Sequence, residues 1–274
     1  MTKPIGVFDS GLGGLTVVRA IADAMPAEDI VYLGDTARVP YGTRSAETVV
    51  RYARGCAARL ARDGVKLVVV ACNTVSAVAL DMLRVELDVP VLGVIEPGAR
   101  AAVEASQGGR VGVIATAGTV ASGAYVRAVS AIDPRVEVLT CAAPLLVPLV
   151  EEGWIDGEVP SLAARRYLEP LVRARIDALV LGCTHYPVLG EVIARELEAL
   201  AGKKVPVVDS AHATARELAA FVRERGLASP RPEGERRQGR LRVLVTDLPA
   251  RFAEVAGRFL GGAAGELEVE QIDL

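Results

Sequence analysis

Two cysteines in this 274-residue chain each stand near the end of an apolar run and are followed by small polar residues. Cys72 lies in LVVVACNT at 67–74, and Cys183 lies in DALVLGCTH at 177–185. Such runs are typical of buried parallel strands, whose carboxyl ends form the ligand edge of an open α/β sheet. The pattern therefore predicts two matched thiols, each at the edge of a sheet.

Two thiols that face one carbon atom can invert a stereocentre that bears an acidic proton. One group must remove the proton and another must add a proton on the opposite face, because a single group returns its proton to the same side. The thiolate must form below the usual thiol pKa of about 8.5, which requires nearby cations, N–H donors or a helix N-terminus. Asp9 and His185 are the candidates for managing these protons.

The pattern around the cysteines occurs twice along the chain. IGVF at 5–8 matches VGVI at 111–114, and IVYL at 30–33 matches VEVL at 136–139, both 106 residues apart. The two cysteines are 111 residues apart, so a small insertion separates otherwise equivalent positions. Two related halves that face each other would bring both thiols to one ligand.

The elements that must position these thiols alternate between strand-like runs and Ala- and Arg-rich helical stretches at 46–62, 159–174 and 188–201. This alternation favours an α/β fold with two pseudo-symmetric, doubly wound lobes, whose mostly parallel sheets face a central cleft. The Pro and Gly of GVIEPGAR at 93–100 predict a crossing between the lobes.

Further strands at 205–211 and 241–247 have no partner in the repeat, so we assign both to the first lobe. The first lobe is then discontinuous. The predicted lobes are 1–96 plus 208–274 and 97–207.

Composition and charge exclude several classes of function. A net charge of −3 provides no basic field for nucleic acid, and the basic stretch at 231–240 is interpreted as a solvated loop. The longest uncharged stretch, at 111–126, is shorter than the roughly 18 residues of a membrane span. The N-terminus lacks the pattern of a signal peptide, and the four cysteines form no C-x-x-C pair. We expect a cytoplasmic protein with reduced thiols.

No cofactor is predicted. Pyridoxal phosphate needs a Schiff-base lysine, and the four lysines lie at strand entries or in an exposed turn. The glycine turn DSGLGGLT at 9–16 could hold an anion, but it has neither dinucleotide nor P-loop spacing. Asp9 in this turn has a simpler alternative role as a helix N-cap. No metal-ligand cluster is evident.

Other polar residues have competing interpretations. Tyr41, in the loop at 34–45, is available to a ligand or belongs to a solvated loop. Either Glu151 or Glu152 could enter the cleft, and a solvated face is the alternative. His185 could be structural.

Three further residues are interpreted as having no role in a site. Cys56 and Cys141 are interpreted as core residues. His212 is interpreted as a helix cap or a surface residue.

Six segments resemble motifs of the glutamate racemase family of bacteria, in the family's order: FDSGLGGLTV, GDTARVPYG, ACNT, VIEPGA, PLVEEGW and LGCTHYP. The resemblance implies cofactor-independent interconversion of L- and D-glutamate, which supplies D-glutamate for peptidoglycan. It also implies two α/β lobes around a buried cleft, a small-molecule substrate and possible assembly as a homodimer.

The resemblance further implies that Cys72 deprotonates the D isomer and Cys183 the L isomer, with assistance from Asp9, Glu152 and His185. The residues implied to contact substrate are Asp9, Ser10, Tyr41, Gly42, Asn73, Thr74, Thr116, Thr119, Thr184 and His185. Two regions depart from the family pattern. Ala143 precedes Pro144 where the family often has Cys-Pro, and the stretch at 228–240 matches no motif.

Three alternatives stay open at this point. An aspartate racemase would share the two-thiol logic, but that family usually has Glu where this chain has His185. A Cys-His hydrolase would use one thiol as a nucleophile and leave the second without a purpose. A non-catalytic amino-acid-binding protein is the third alternative, since fold does not fix function.

Overall fold

Two sheets of parallel strands form the framework of a computed structural model of the chain, which describes residues 3–229, 239–248, 251–261 and 267–274. The strands are β1 (Ile5–Asp9), β2 (Ile30–Gly34), β3 (Leu67–Val70), β4 (Val91–Gly93), β5 (Arg110–Ala115), β6 (Glu137–Ala142), β7 (Ala178–Gly182), β8 (Val207–Asp209), β9 (Leu241–Val245) and β10 (Glu268–Gln271).

Helices connect the strands and cover both sheets. They are α1 (Leu15–Ala24), α2 (Ala46–Arg62), α3 (Asn73–Val78), α4 (Leu80–Glu86), α5 (Ile95–Ala105), α6 (Ala117–Ser122), α7 (Ala124–Ile132), α8 (Leu146–Glu151), α9 (Glu158–Arg173), α10 (Gly190–Ala201), α11 (Ser210–Glu224) and α12 (Phe252–Leu260). Short 3-10 helices lie at Thr36–Arg38 and Tyr186–Leu189. The three predicted helical stretches correspond to α2, α9 and α10, so these predictions are confirmed.

The two sheets repeat one strand order. The first sheet runs β10-β9-β2-β1-β3-β4 and the second runs β6-β5-β7-β8, so the second matches four consecutive strands of the first. Every strand pair is parallel. The prediction of two pseudo-symmetric, doubly wound lobes is confirmed.

The assignment of the strand at 205–211 to the first lobe is wrong. β8 pairs with β7 in the second sheet, with Val207 opposite Leu179 and Asp209 opposite Leu181. It is the counterpart of β4, which pairs with β3 in the same way. Both strands have three residues, too few for the sequence repeat to be visible. The strand at 241–247 is placed correctly, since β9 pairs with β2.

The chain passes between the sheets after each of these edge strands. Helix α5 follows β4 but packs against β7 and α7, whereas α11 follows β8 but packs against α1 and α5. The predicted crossing at 93–100 therefore lies where α5 begins. Pro97 occupies the first turn of α5, where a missing N–H leaves no helical hydrogen bond unmade. The lobe boundaries 1–96 plus 208–274 and 97–207 stay a prediction.

Burial explains why the strands read as continuous apolar runs. Every residue of β1, β3 and β7 is buried, as expected for central parallel strands covered on both faces. Among the described residues, no helix combines the length and the apolar character that crossing a bilayer requires. Most of the predicted loop at 231–240 lies outside the described residues.

Candidate active site

A cavity of about 270 Å³ lies between the carboxyl ends of the two sheets. Cys72 follows β3 and Cys183 follows β7, and both line this cavity. The other predicted residues in its wall are Ser10, Tyr41, Gly42, Asn73, Thr74, Thr116, Thr184 and His185. Asp9 and Thr119 are buried behind this wall. The structure thus brings the two thiols to one ligand-sized space.

The Cys72 thiol has a neutral partner and an acidic neighbour. Its Sγ donates to Oγ of Ser10 over 3.5 Å. Burial raises the pKa of the Cys72 thiol to about 12, and the negative charge of Asp9 acts in the same direction. Cys72 is therefore a protonated thiol at neutral pH, suited to giving a proton.

Asp9 ends β1 beneath the cavity. Its Oδ2 accepts a hydrogen bond from the Gly14 backbone N–H at 2.9 Å, so it does cap the turn that opens α1. Its Oδ1 has no hydrogen-bond partner among the described residues. Burial raises the pKa of Asp9, and the charge of His185 opposes this shift. The N-cap interpretation and a role beside the cavity are thus compatible.

The Cys183 thiol has a basic partner. His185 Nδ1 lies 3.9 Å from Sγ of Cys183, and Nε2 lies 3.1 Å from Oε1 of Glu151. Burial lowers the pKa of His185, but the hydrogen bonds to Cys183 and Glu151 outweigh burial and raise the pKa to about 10. The imidazole is therefore a cation at neutral pH, and a cation beside a sulfur stabilises a thiolate.

The prediction of Glu152 as a catalytic residue is contradicted by its position. Its carboxylate is 65% exposed and pairs with Arg251 at 3.1 Å, away from the cavity. Glu151 lines the cavity and contacts His185 instead. Glu151 is the last residue of α8 and Glu152 is its C-cap, and one step along a helix turns a side chain by about 100°. Sequence could not decide which of two adjacent acids faces inward.

Close packing against the glycine turn that precedes α1, and against α1 itself, fixes the position of His185. A Cβ atom at Gly13 would lie 2.5 Å from Nδ1 of His185, so only glycine leaves room for the imidazole. The Thr16 hydroxyl donates to the Thr184 carbonyl oxygen at 3.0 Å. The glycine turn at 9–16 therefore supports the second cysteine loop as well as the first.

Three threonine hydroxyls connect the two lobes at the cavity. Oγ1 of Thr74 lies 2.9 Å from that of Thr116 and 3.2 Å from that of Thr119, and the latter two lie 3.0 Å apart. Hydroxyl groups both donate and accept, so this cluster can turn its hydrogens toward a bound carboxylate.

Asn73 is oriented by a residue that the sequence did not indicate. The Tyr125 hydroxyl donates to Oδ1 of Asn73 at 2.7 Å, and Nδ2 has no partner among the described residues. The Asn73 side chain therefore keeps an N–H donor for a ligand. Tyr125 lies in α7 within an apolar pattern, and no spacing signal distinguishes it from a core residue.

The loop after β2 closes one side of the cavity. The Tyr41 hydroxyl donates to buried Asp35, so the ring presents its face and edge rather than a free hydroxyl. The Gly42 carbonyl oxygen accepts from the Gly118 N–H at 2.9 Å, and this bond ties the loop to the second lobe. A Cβ atom at Gly42 would lie 2.8 Å from Cβ of Thr116.

Comparison with known proteins identifies the family. A family model described as Asp/Glu/Hydantoin racemase matches residues 5–218. The chain belongs to this racemase family. It is 53% identical to the glutamate racemase of Geobacter metallireducens over 97% of this chain and 95% of that protein. The resemblance to glutamate racemases deduced from the six motifs is confirmed.

Solved structures agree with this assignment. The racemase fold of this chain matches glutamate racemase from Thermus thermophilus, in complex with beta-chloro-D-alanine, with a TM-score of 0.87 and 45% identity over 100% of this chain and 98% of that chain. It also matches glutamate racemase from Francisella tularensis, in complex with D-glutamate, with a TM-score of 0.89 and 36% identity over 99% and 98%. The chain is an amino-acid racemase.

The other two cysteines, the second histidine and the described lysines of this racemase do not line the cavity. Cys56 is fully buried in the core as predicted, whereas Cys141 is only partly buried on β6. His212 lies on the surface of α11 with Nδ1 2.6 Å from Oδ2 of Asp209. No described lysine lines the cavity; Lys66 pairs with Glu28 elsewhere.

Proposed function

We propose that this racemase interconverts L- and D-glutamate by a two-base mechanism that uses Cys72 and Cys183. The observation that carries the proposal is that both thiols, from equivalent positions of two sheets, line one cavity. The identity of the substrate is supported by relatives named glutamate racemase at 44–53% identity over nearly the full length.

The proton steps balance between the two sulfurs. For L-glutamate, the Cys183 thiolate takes the Cα proton and becomes a thiol. The electron pair left on Cα is delocalised into the α-carboxylate, and Cys72 donates its proton to the opposite face. D-glutamate leaves with Cys72 as a thiolate. The reverse reaction begins from that state, so each direction uses both thiols once.

The residues that support the two cysteines differ in charge and therefore in role. His185 stabilises the Cys183 thiolate, and Glu151 fixes the imidazole through Nε2. The resemblance had implied that Glu152, rather than Glu151, assists proton transfer. Asp9 lies beside the first cysteine loop, where its carboxylate raises the cost of a second negative charge and keeps Cys72 protonated. The two sulfurs of this proposal therefore have neighbours of opposite charge.

Neutral donors bind the substrate carboxylates in this proposal. Among the described residues that line the cavity, the charged side chains are Glu151 and His185, with no arginine or lysine. The Asn73 Nδ2 and the threonine hydroxyls therefore provide the hydrogen bonds, together with Ser10 and Thr184. Val39, Pro40, Pro144, Val147 and Pro148 form the apolar part of the wall. An apolar wall excludes water, which strengthens these hydrogen bonds.

The expected biological role is the supply of D-glutamate for peptidoglycan, a general property of glutamate racemases. A cytoplasmic location and a homodimer stay predictions. Large apolar side chains that are exposed in the single chain, including Trp154 and Leu162, support an assembly of two copies. Sedimentation of the purified protein over a range of concentrations measures its mass directly.

Incubation with L-glutamate and, separately, with L-aspartate tests the proposed function. The protein is first dialysed against a chelator, and no cofactor is added. We expect loss of optical rotation with L-glutamate alone. Loss with aspartate alone would assign the other substrate, and no loss with either would refute the racemase proposal. A covalent acyl-enzyme on one thiol would support a hydrolase instead.

A further inference from the structure

The C-terminal helix α12 reaches the proton-handling residues although it lies beyond the part of the chain that the family model matches. That match ends at residue 218, and α12 spans Phe252–Leu260. None of the six sequence motifs includes this helix. Its buried residues include Phe252 and Phe259. Helix α12 packs against α1, which itself supports the His185 loop.

Phe259 touches the imidazole directly. Its ring centroid lies 5.0 Å from that of His185, and the two planes meet at 79° in an edge-to-face arrangement. This geometry is favourable between aromatic rings and depends on the orientation of both. Phe259 is fully buried, so its ring has little freedom to move. The contact therefore restricts the imidazole to the plane in which it reaches Cys183 and Glu151.

Arg258 contacts the backbone of Glu151, the partner of Nε2 of the imidazole. Its guanidinium donates to the Glu151 carbonyl oxygen and to that of Val150 at 3.5 Å. Both carbonyl groups lie at the C-terminal end of α8, where that of Val150 also accepts from the Gly153 N–H at 3.1 Å. A cation from another segment stabilises such a helix end. Gly153 leaves room for the guanidinium, because a Cβ atom there would lie 2.8 Å from Nη2.

We propose that Phe259 and Arg258 of α12 are positioning residues that hold His185 and Glu151 in the geometry required for proton transfer at Cys183. Phe259 orients the imidazole, and Arg258 fixes the backbone from which Glu151 reaches Nε2. Neither residue lines the cavity. This inference rests on the proposed function for its kinetic consequence, but its geometric content can be measured without turnover.

The titratable and charged groups around the imidazole come from four elements. Cys183 follows β7, Glu151 ends α8, Asp9 ends β1, and Arg258 on α12 is paired with Glu254. Because the folded pKa of His185 lies above its value in water, a loosened imidazole must move down toward the water value of about 6.5. The direction of the shift therefore reports whether the two partners are still held.

Histidine NMR titration provides the test, because the chain has only His185 and His212. His212 is exposed and serves as an internal reference. We expect Phe259→Leu to lower the titration midpoint of His185 by about 1 pH unit or more, without moving that of His212. Phe252→Leu is the matched control, since it makes the same substitution at another buried position of α12.

The Arg258→Met variant distinguishes the positioning role of Arg258 from the direct effect of its charge on His185. Loss of a nearby cation alone would raise the midpoint of His185, whereas release of Glu151 would lower it. We expect a fall. Arg251→Gln is the control, because Arg251 pairs with Glu152 and Glu254 rather than with the Glu151 backbone. A rise in Arg258→Met would overturn the role of Arg258.

Kinetics complete the test. We expect kcat/KM for glutamate to fall about tenfold in Phe259→Leu and to stay within about twofold in Phe252→Leu, with similar melting temperatures. Equal losses in the two variants, or an unmoved His185 midpoint in Phe259→Leu, would reduce Phe259 to a core residue. An inactive parent protein with the expected midpoints would refute the proposed function and leave the positioning role intact.

Discussion

The loops after β3 and β7 occupy equivalent positions in the two lobes, but the groups around their cysteines differ. Cys72 has the Ser10 hydroxyl at 3.5 Å and the charge of Asp9 nearby. Cys183 has the imidazole of His185 at 3.9 Å, which is itself held by Glu151. One thiol therefore lies near an anionic group and the other beside a cationic group.

A symmetric scaffold can therefore carry an asymmetric distribution of charge around its two sulfurs. If both cysteines had anionic surroundings, both would be thiols, and neither would remove a proton at neutral pH. If both had cationic surroundings, two thiolates would repel each other across the cavity. Unlike neighbours on equivalent strands put a cation beside Cys183 and an anion near Cys72, and the proposed inversion of a stereocentre needs two sulfurs with different roles.

Removal of either thiol should have the largest effect. Cys72→Ser and Cys183→Ser should each lower racemisation by at least about 10³-fold, because a hydroxyl is a far weaker acid than a thiol. Circular dichroism of glutamate measures the rate, and the far-ultraviolet spectrum checks the fold. Full activity in either variant would contradict the two-base assignment.

Replacement of His185 makes the surroundings of Cys183 resemble those of Cys72. His185→Gln removes the cation, so Cys183 loses the charge that stabilises its thiolate, and kcat/KM should fall by about 10²-fold. The fall must be equal for L- and D-glutamate, since the two enantiomers have equal free energy. Any unequal change in kcat/KM would indicate that the assay follows another reaction.

Glu151 and Glu152 provide a matched pair of substitutions that tests the surroundings of Cys183. Glu151→Gln should lower kcat/KM about tenfold and lower the titration midpoint of His185, because a neutral amide supports the imidazolium less than a carboxylate. Glu152→Gln should change the rate by less than about twofold, since this residue pairs with Arg251 on the surface. A larger effect of Glu152→Gln would restore the role that the resemblance implied.

Alkaline pH should lower the stability of the folded protein through deprotonation of His185. The folded pKa of His185 is raised to about 10 from its ordinary value of 6.5. Its stabilisation is therefore fully present below about pH 6.5 and is lost as pH rises through about 10. The melting temperature of the parent protein should fall by several degrees more than that of His185→Gln between pH 7 and pH 10. Parallel curves for the two proteins would contradict the raised pKa.

The sequence predicted much of the fold and most of the cavity because both depend on local patterns. Cys72 and Cys183 were visible at the ends of apolar runs that repeat along the chain. The edge strand β8 was misplaced because three residues carry too little of the repeat. Its pairing with β7 is decided by tertiary packing that no local pattern encodes.

The supporting contacts were less predictable. The choice between Glu151 and Glu152 depends on the rotation of the last turn of α8. Tyr125 and Phe259 look like ordinary core residues because their partners, Asn73 and His185, lie far away along the chain. Contacts of this kind become visible only when the fold brings the segments together.

The most direct test of the two-base account is racemisation of L-glutamate in D2O, sampled while little product has formed. If one thiol takes the proton and the other gives one, the D-glutamate produced carries deuterium at Cα, whereas the remaining L-glutamate keeps its hydrogen. NMR of the separated enantiomers measures both. Early deuterium in the recovered L-glutamate, at a level similar to that in the product, would show that a single base serves both faces and would contradict the account.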